Sequence, residues 1–208
     1  MKNNNIKIGE TALLVIDVLN SCCHENCEVE KWKMTFKKIR RMVPKLKKFI
    51  KDYKKLGGKV IYVNYPVWIE ENLKKNIVEL YKNPACRYYS KDKTGFSNNF
   101  FQLKPEKDDI IITKNSYDAF SNKKMDKNLK KLGVKYLIIT GVFGDGCVHA
   151  TIQGGFSSGY NFIIVKNLIE TTDNPTRQEL QALMKKWLWP KMFGRTVTAK
   201  KTLEILKK

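Results

Sequence analysis

Six short runs of apolar residues alternate with segments of helical periodicity along this chain, and this alternation limits the folds open to it. The runs are rich in β-branched residues and are bounded by glycine, proline or charged residues, as is typical of buried strands. Strands that alternate with helices indicate a parallel sheet, because right-handed crossovers place the helices on its two faces. We therefore predict an α/β fold.

The pattern also gives approximate bounds for each element. Strands are predicted at 11–19, 59–65, 108–114, 136–142, 161–167 and 195–198. Helices are predicted at 31–56, 70–82, 123–132, 147–159, 175–189 and 199–206. No linker, repeat or low-complexity segment divides the chain, and 208 residues suffice for one core, so we predict a single domain over 1–208.

The cysteine content and the apolar runs bear on where the protein resides. Five cysteines, an odd number, do not suggest a disulfide framework. The segment 1–10 lacks the apolar stretch of a signal peptide, and no apolar run is long enough to span a bilayer. We expect a soluble cytoplasmic protein that does not bind membranes.

The chain is strongly basic, with a formal net charge of +20 and a pI near 9.7. Only five of its 40 basic residues are arginine, the residue on which sequence-reading interfaces usually depend. The densest lysine cluster, 37–55, has apolar residues at helical spacing and is typical of the solvated face of an amphipathic helix. We expect weak phosphate affinity at low salt and no specific nucleic-acid partner; a basic nucleic-acid binder is kept as an alternative.

Three polar residues each lie at or just beyond the end of a predicted strand: Asp17, Lys114 and Cys147. The carboxyl ends of parallel strands share one edge of the sheet, where open α/β sheets bind ligands. The simplest topology makes strands one, three and four neighbours in the middle of the sheet. Cys147 also lies where a helix begins, and a helix N-terminus favours thiolate over thiol.

A thiol, a carboxylate and an ammonium at one edge form a coherent nucleophilic site. Cys147 would attack, Asp17 would accept and return its proton, and Lys114 would lower the pKa of the thiol. Histidine is a weak candidate for the base: His149 is two residues from Cys147 on a helix, and His24 lies in a polar loop. The alternative is a buried Asp17–Lys114 ion pair beside an inert cysteine.

The segments around these residues resemble one family. ALLVIDVLN around Asp17, IITKNSYDAFSN around Lys114 and YLIITGVFGDGCVHA around Cys147 are similar to the isochorismatase-like cysteine hydrolases, in order and in spacing. This superfamily includes nicotinamidases, N-carbamoylsarcosine amidases and isochorismatases. The resemblance implies a six-stranded parallel sheet in a Rossmann-like three-layer sandwich, in a dimer or tetramer. It also implies that Asp17 is the base, Lys114 its cationic partner and Cys147 the nucleophile.

The resemblance further implies how the turn before Cys147 takes part in hydrolysis. A cis peptide bond would join Val142 to Phe143, and backbone amides of the turn, which includes Gly146, would bind the oxyanion. Cys147 would attack the carbonyl of a small amide, ureido or imide substrate, and water would hydrolyse the resulting thioester. Some isochorismatases lack this cysteine and cleave a vinyl ether, so the presence of Cys147 favours C–N hydrolysis.

Two positions depart from the family pattern. Leu19 replaces a common glutamine, and Gly144 replaces the usual threonine of the cysteine motif. A catalytically silent member that acts as a binding or scaffold protein is therefore kept as an alternative. The segment 64–75 contains neither aspartate nor histidine, so a nicotinamidase-type metal site cannot be built there, and we expect no metal or other cofactor.

Aromatic residues near the predicted edge are candidates for a substrate pocket. They are Trp68, Tyr117 and Phe120, each of which could instead be part of the core. A separate cluster follows the first strand and consists of Cys22, Cys23, His24 and Cys27. Its spacing matches no standard zinc site, so an ordinary loop with spare thiols is favoured over a metal site.

Overall fold

In a computed structural model, which describes residues 6–30 and 33–207, a six-stranded parallel sheet forms the centre of the molecule. All its ladders are parallel, in the strand order β3-β2-β1-β4-β5-β6. The strands are β1 (Thr11–Ile16), β2 (Lys59–Asn64), β3 (Ile110–Thr113), β4 (Tyr136–Val142), β5 (Asn161–Glu170) and β6 (Gly194–Val197). The predicted α/β class and strand number are confirmed.

The predicted neighbourhood of strands one, three and four is wrong in one respect. β1 pairs with β4, but β2 lies between β1 and β3, which is an edge strand of the sheet. The chain adds β2 and β3 on one side of β1 and then crosses to add β4 on the other. The carboxyl ends of β1 and β4 therefore flank the topological switch point, where a crevice opens.

Helices cover both faces of the sheet, as predicted. One core cluster joins the sheet to α2 and α8, and the other joins its opposite face to α4, α5 and α7. β1 is fully buried because both of its faces are covered. The helices are α1 (Asn20–Cys23), α2 (Lys37–Lys55), α3 (Lys75–Tyr81), α4 (Lys123–Lys131), α5 (His149–Ser157), α6 (Pro175–Leu183), α7 (Trp189–Met192) and α8 (Ala199–Leu206).

Some helices are shorter than predicted, and the differences lie next to polar or irregular segments. The helix predicted over 31–56 begins at Lys37 in the structure, and positions 31–32 lie outside the described residues. The helix predicted over 70–82 is divided into a 3₁₀ turn, Glu70–Asn72, and α3. Within residues 6–30 and 33–207, no helix is both long and apolar enough to cross a membrane.

Candidate active site

Asp17 directly follows β1 at the switch point. Its backbone has φ of +51°, a left-handed conformation that aspartate tolerates better than most residues. Its N–H donates to the Val63 carbonyl at 3.0 Å, which ties this bend to the end of β2. The carboxylate is 1% exposed, so it needs a partner in the interior.

Lys114 supplies that partner from the edge strand β3. Its backbone N–H donates to the Asn64 carbonyl at 2.9 Å, and its side chain passes the end of β2 to reach Asp17. The Lys114 Nζ lies 2.9 Å from Asp17 Oδ2 and 3.4 Å from Cys147 Sγ. It also donates to the Ser116 carbonyl at 3.0 Å, so the ammonium is fully enclosed by partners.

The turn from residue 142 to residue 147, called the Cys147 turn below, carries the thiol to this ion pair. The Val142–Phe143 peptide bond is cis, as the family resemblance implied. The segment Gly144–Val148 follows it, with a kink at Gly146, and leads into α5. Phe143 carbonyl accepts from the N–H groups of Gly146 and Val148, at 3.0 and 3.1 Å. Thus the structure brings Asp17, Lys114 and Cys147 together as predicted.

The two charged groups of this site act in opposite directions on the pKa of the Cys147 thiol. Burial and the Asp17 carboxylate raise the pKa of the Cys147 thiol, and the nearby Lys114 ammonium only partly offsets them. This differs from the sequence expectation that the site would favour thiolate, because desolvation of the thiol outweighs the cation. The pKa of Lys114 is raised by Asp17 and Cys147 despite burial, and desolvation raises the pKa of Asp17. Burial thus favours the thiol form of Cys147, which lies beside the Asp17–Lys114 contact of 2.9 Å.

A cavity of about 180 Å³, called the inner cavity below, opens above these groups. Aromatic side chains form most of its wall, and among its described lining residues Asp17 carries the single formal charge. The lining residues are Asp17, Ser21, Cys22, Met34, Tyr65, Trp68, Tyr81, Tyr88, Tyr117, Phe143 and Cys147.

Two of the three predicted pocket residues lie in this wall. Trp68 and Tyr117 line the inner cavity, and their rings stack at 6.2 Å between centroids. The indole N–H of Trp68 donates to Tyr81 Oη at 3.0 Å, which fixes the ring. Phe120 is not a lining residue: it packs against Tyr160, with centroids 5.6 Å apart, in the core on the opposite face of the sheet.

Three tyrosines of the wall, Tyr65, Tyr81 and Tyr88, were not among the predicted site residues. Tyr65 directly follows β2, so the reasoning that selected Asp17 could have found it. Its hydroxyl lies 2.7 Å from Ser21 Oγ and 3.1 Å from Cys22 Sγ, and Lys114 Nζ is 5.2 Å from its ring centre. Tyr81 ends α3, within the predicted helix 70–82, and Tyr88 lies in the irregular segment that follows; nothing in the sequence indicates that either faces the site.

A larger cavity of about 630 Å³, called the outer cavity below, adjoins the first. Both cavities share Ser21, Tyr65, Trp68 and Tyr88 as lining residues. The outer cavity differs in charge, because Glu28, Glu30, Arg87, Lys91 and Asp92 also line it.

The cysteine and histidine cluster after β1 is not assembled as a metal site. Cys22 and Cys23 are buried in α1, and burial raises the pKa of Cys22 to about 12. His24 accepts from the Asn26 N–H at 3.1 Å and packs edge-on against Phe96. Among residues 6–30 and 33–207, no group of three or more His, Cys, Asp or Glu side chains could hold a metal ion.

The second histidine is also occupied away from the thiol. His149 Nδ1 accepts from the Trp189 indole N–H at 3.3 Å, and its ring packs edge-on against Phe193. Desolvation lowers its pKa, so it is neutral at pH 7. Both contacts hold the half-buried His149 ring against Trp189 and Phe193, which leaves Asp17 as the carboxylate beside the Cys147 thiol.

The fold and the site together define an α/β protein with an Asp–Lys–Cys set at the sheet's switch point. The family model described as "Isochorismatase domain" matches residues 11–201, nearly the whole chain. The chain belongs to the isochorismatase family.

Similar proteins agree with this assignment. The ureidoacrylate amidohydrolase RutB of Stutzerimonas stutzeri (strain A1501) is 23% identical over 175 residues, which cover 77% of this chain and 69% of that protein. A cysteine hydrolase from Pseudomonas syringae pv. phaseolicola 1448A has the same fold, with a TM-score of 0.82 at 20% identity and coverage of 98% and 95% of the two chains. N-carbamoylsarcosine amidase from Thermoplasma acidophilum has a TM-score of 0.67 at 18% identity and coverage of 91% and 96%.

Proposed function

We propose that this protein is a metal-independent cysteine amidohydrolase, which cleaves a C–N bond of a small amide, ureido or imide substrate through a thioester on Cys147. One observation carries the proposal: Lys114 Nζ joins Asp17, at 2.9 Å, to Cys147, at 3.4 Å, beside the inner cavity. Family membership and the similarity to amidohydrolases support the reaction class.

The first half-reaction forms the thioester. Asp17 takes the proton of the Cys147 thiol as the sulfur attacks the carbonyl carbon, and the oxygen becomes an oxyanion. Backbone N–H groups of the Cys147 turn hold it, but not the predicted one of Gly146, which donates to the Phe143 carbonyl. The C–N bond then breaks, and Asp17 returns the proton to the leaving nitrogen. Since the resting group is a thiol, this transfer accompanies attack.

The second half-reaction releases the acid. Water attacks the thioester while Asp17 accepts its proton, the C–S bond breaks, and the proton returns to the sulfur. Lys114 stays protonated throughout because its pKa is raised, so it offsets the negative charge that moves between Asp17 and Cys147. Removing any one of the three groups should therefore abolish turnover.

The lining of the inner cavity favours a flat, uncharged group next to the scissile bond. Aromatic faces surround the thiol, and the charge of Asp17 is balanced by Lys114, so a substrate carboxylate placed there would lose its hydration without gaining a cationic partner of its own. The volume of about 180 Å³ suits a small molecule. The charged outer cavity offers room for a polar extension of the substrate.

The proposal is tested with a panel of small amides and ureido acids assayed for ammonia release, and of cyclic imides assayed for the ring-opened acid, since ring opening releases no ammonia. We expect turnover of at least one compound by the wild type, a mass shift on Cys147 that matches its acyl group, and no turnover by Cys147→Ser. Cys86→Ser makes the same chemical change at an exposed cysteine and should keep full activity.

Two outcomes would contradict the proposal. Equal activity of Cys147→Ser and the wild type would exclude the thioester route. Saturable binding of panel compounds with no product from any of them would favour a catalytically silent binding protein.

A further inference from the structure

We infer that Arg177 and Gln181, one helical turn apart on α6, are positioning residues that fix the Cys147 turn for catalysis. The inference rests on the proposed function for its kinetic consequence. Neither side chain lines the inner cavity, so each acts through the turn, of which Phe143 and Cys147 face the cavity.

Arg177 contacts the residues on both sides of Gly144. Its guanidinium donates to Asp145 twice, from Nε to Oδ2 at 2.6 Å and from Nη2 to Oδ1 at 2.8 Å. Its Cζ also lies 4.8 Å from the ring centre of Phe143, the residue after the cis bond. Asp145 Oδ1 accepts a further bond from Thr171 Oγ1 at 2.5 Å. Only the planar fork of arginine makes this paired contact, so lysine cannot reproduce it.

Gln181 fills the space beside Gly144 itself. A Cβ atom placed on Gly144 would lie 2.0 Å from Gln181 Oε1 and 3.0 Å from Ile169 Cγ2. Gln181 is only 2% exposed, and its Nε2 donates to Glu170 Oε1 at 2.7 Å, which holds the amide in place. The side-chain amide of Gln181 thus occupies the space that a side chain at position 144 would fill, where the family pattern has threonine.

The contacts of Arg177 and Gln181 affect catalysis because Asp145 lies close to Cys147 in the chain. One glycine separates these residues, and Gly146 has φ of −125° and ψ of −110° inside the turn, a conformation outside the helical range. Such a link can rotate unless its neighbours are held, and a small displacement of a reacting group costs much rate. Release of Asp145 or Gly144 should therefore misplace the sulfur and the turn amides, while the cavity walls outside the turn stay unchanged.

The first arm of the test compares Arg177→Gln and Arg177→Lys with Arg41→Gln, which removes an exposed arginine on α2. For Arg177→Gln we expect kcat to fall by about tenfold or more with KM nearly unchanged, and for Arg177→Lys a similar loss because the paired contact is absent. Arg41→Gln should match the wild type. Urea unfolding shows whether each variant is folded.

The second arm is a double-mutant cycle at Gly144 and Gln181. Gly144→Thr alone should lower kcat because the new side chain overlaps the Gln181 amide, and Gln181→Ala alone should lower it because the turn loses its support. The double variant should recover a large part of the loss, since threonine then occupies the vacated space. Additive losses in the double variant would overturn the role of Gln181.

A readout that needs no substrate separates this inference from the proposed function. The rate of Cys147 alkylation by iodoacetamide, followed against pH, should change in Arg177→Gln and stay unchanged in Arg41→Gln. If the wild type hydrolyses no amide but this shift occurs, the proposed function fails and the positioning role stands. If folded Arg177 variants keep the wild-type kcat and alkylation profile, the positioning role is wrong.

Discussion

The ion pair of Asp17 and Lys114 is placed where it costs the fold stability. Both side chains are at most 1% exposed, and desolvation of two charges commonly exceeds their mutual attraction. Well-packed apolar residues of similar size would serve the core as well or better. The pair is therefore explained by what it does to the third member, Cys147, which lies within 3.4 Å of the ammonium.

Single substitutions in the pair should move the Cys147 pKa in opposite directions. The Asp17 carboxylate raises this pKa and the Lys114 ammonium lowers it. Asp17→Asn should therefore bring the alkaline rise of Cys147 alkylation to lower pH, and Lys114→Met should take it to higher pH. Mass spectrometry of iodoacetamide-treated protein over a pH series measures both shifts.

The rate of hydrolysis should not follow the rate of Cys147 alkylation in these variants. Asp17→Asn makes the sulfur easier to deprotonate but removes the group that returns the proton to the leaving nitrogen, so we expect faster alkylation together with loss of turnover. Cys86 alkylation in the same samples is an internal control. A shift of both variants in one direction would contradict the opposed roles of the two charges.

At the level of elements, β1 and β4 approach so closely beneath the site that one position excludes any side chain. Gly141 has φ of +113°, and a Cβ atom there would lie 2.1 Å from the Ile16 carbonyl oxygen. Ile16 immediately precedes Asp17, and Gly141 precedes the cis bond by one residue. The absence of a side chain at Gly141 thus lets the two strand ends that lead to Asp17 and Cys147 approach each other.

Gly141→Ala should separate these strand ends. We expect a loss of at least about 2 kcal/mol in the free energy of unfolding, from the unfavourable φ and the backbone overlap. Urea unfolding measures it, and turnover should fall in the fraction that stays folded. Gly9→Ala is the matched control, since nothing lies within 4 Å of a Cβ there and its effect should stay within about 0.5 kcal/mol. Equal stability of both variants would contradict the close approach.

The sequence predicts elements and strand ends better than it predicts their arrangement. α8 occupies the predicted residues because Thr198 caps it, and β4 matches because both its faces are buried. The predicted strand order was partly wrong because periodicity does not indicate at which edge of the growing sheet the next strand is added. The Arg177–Asp145 contact joins residues 32 apart, and no local pattern reports such a pair.

On the scale of the whole molecule, charge and cavity select for different ligands. A net charge of +20 attracts anions over distances of about the Debye length, roughly 8 Å at physiological salt. The inner cavity, by contrast, presents aromatic faces and the Asp17 carboxylate. Long-range attraction should therefore speed the arrival of an anionic substrate, whereas the walls around the thiol should disfavour its carboxylate.

Salt dependence can separate these two effects. The test compares a neutral aromatic amide, such as benzamide, with an anionic ureido acid, such as ureidoacrylate. At physiological salt we expect kcat/KM to be at least about tenfold higher for the neutral amide, because a carboxylate loses its hydration in the inner cavity. Added NaCl should lower kcat/KM for the anion and leave the neutral amide unaffected, since screening acts on the charged encounter alone.

A preference for the anion at every salt concentration would contradict this selection by the inner cavity. The substrate carboxylate would then have to lie in the outer cavity, where Arg87 and Lys91 supply positive charge. Arg87→Gln decides the point: it should raise KM for the ureido acid and leave benzamide unchanged if the carboxylate lies there. Arg41→Gln removes the same charge at a residue that lines neither cavity, so a selective effect of Arg87→Gln would reflect local contact rather than the net charge of the protein.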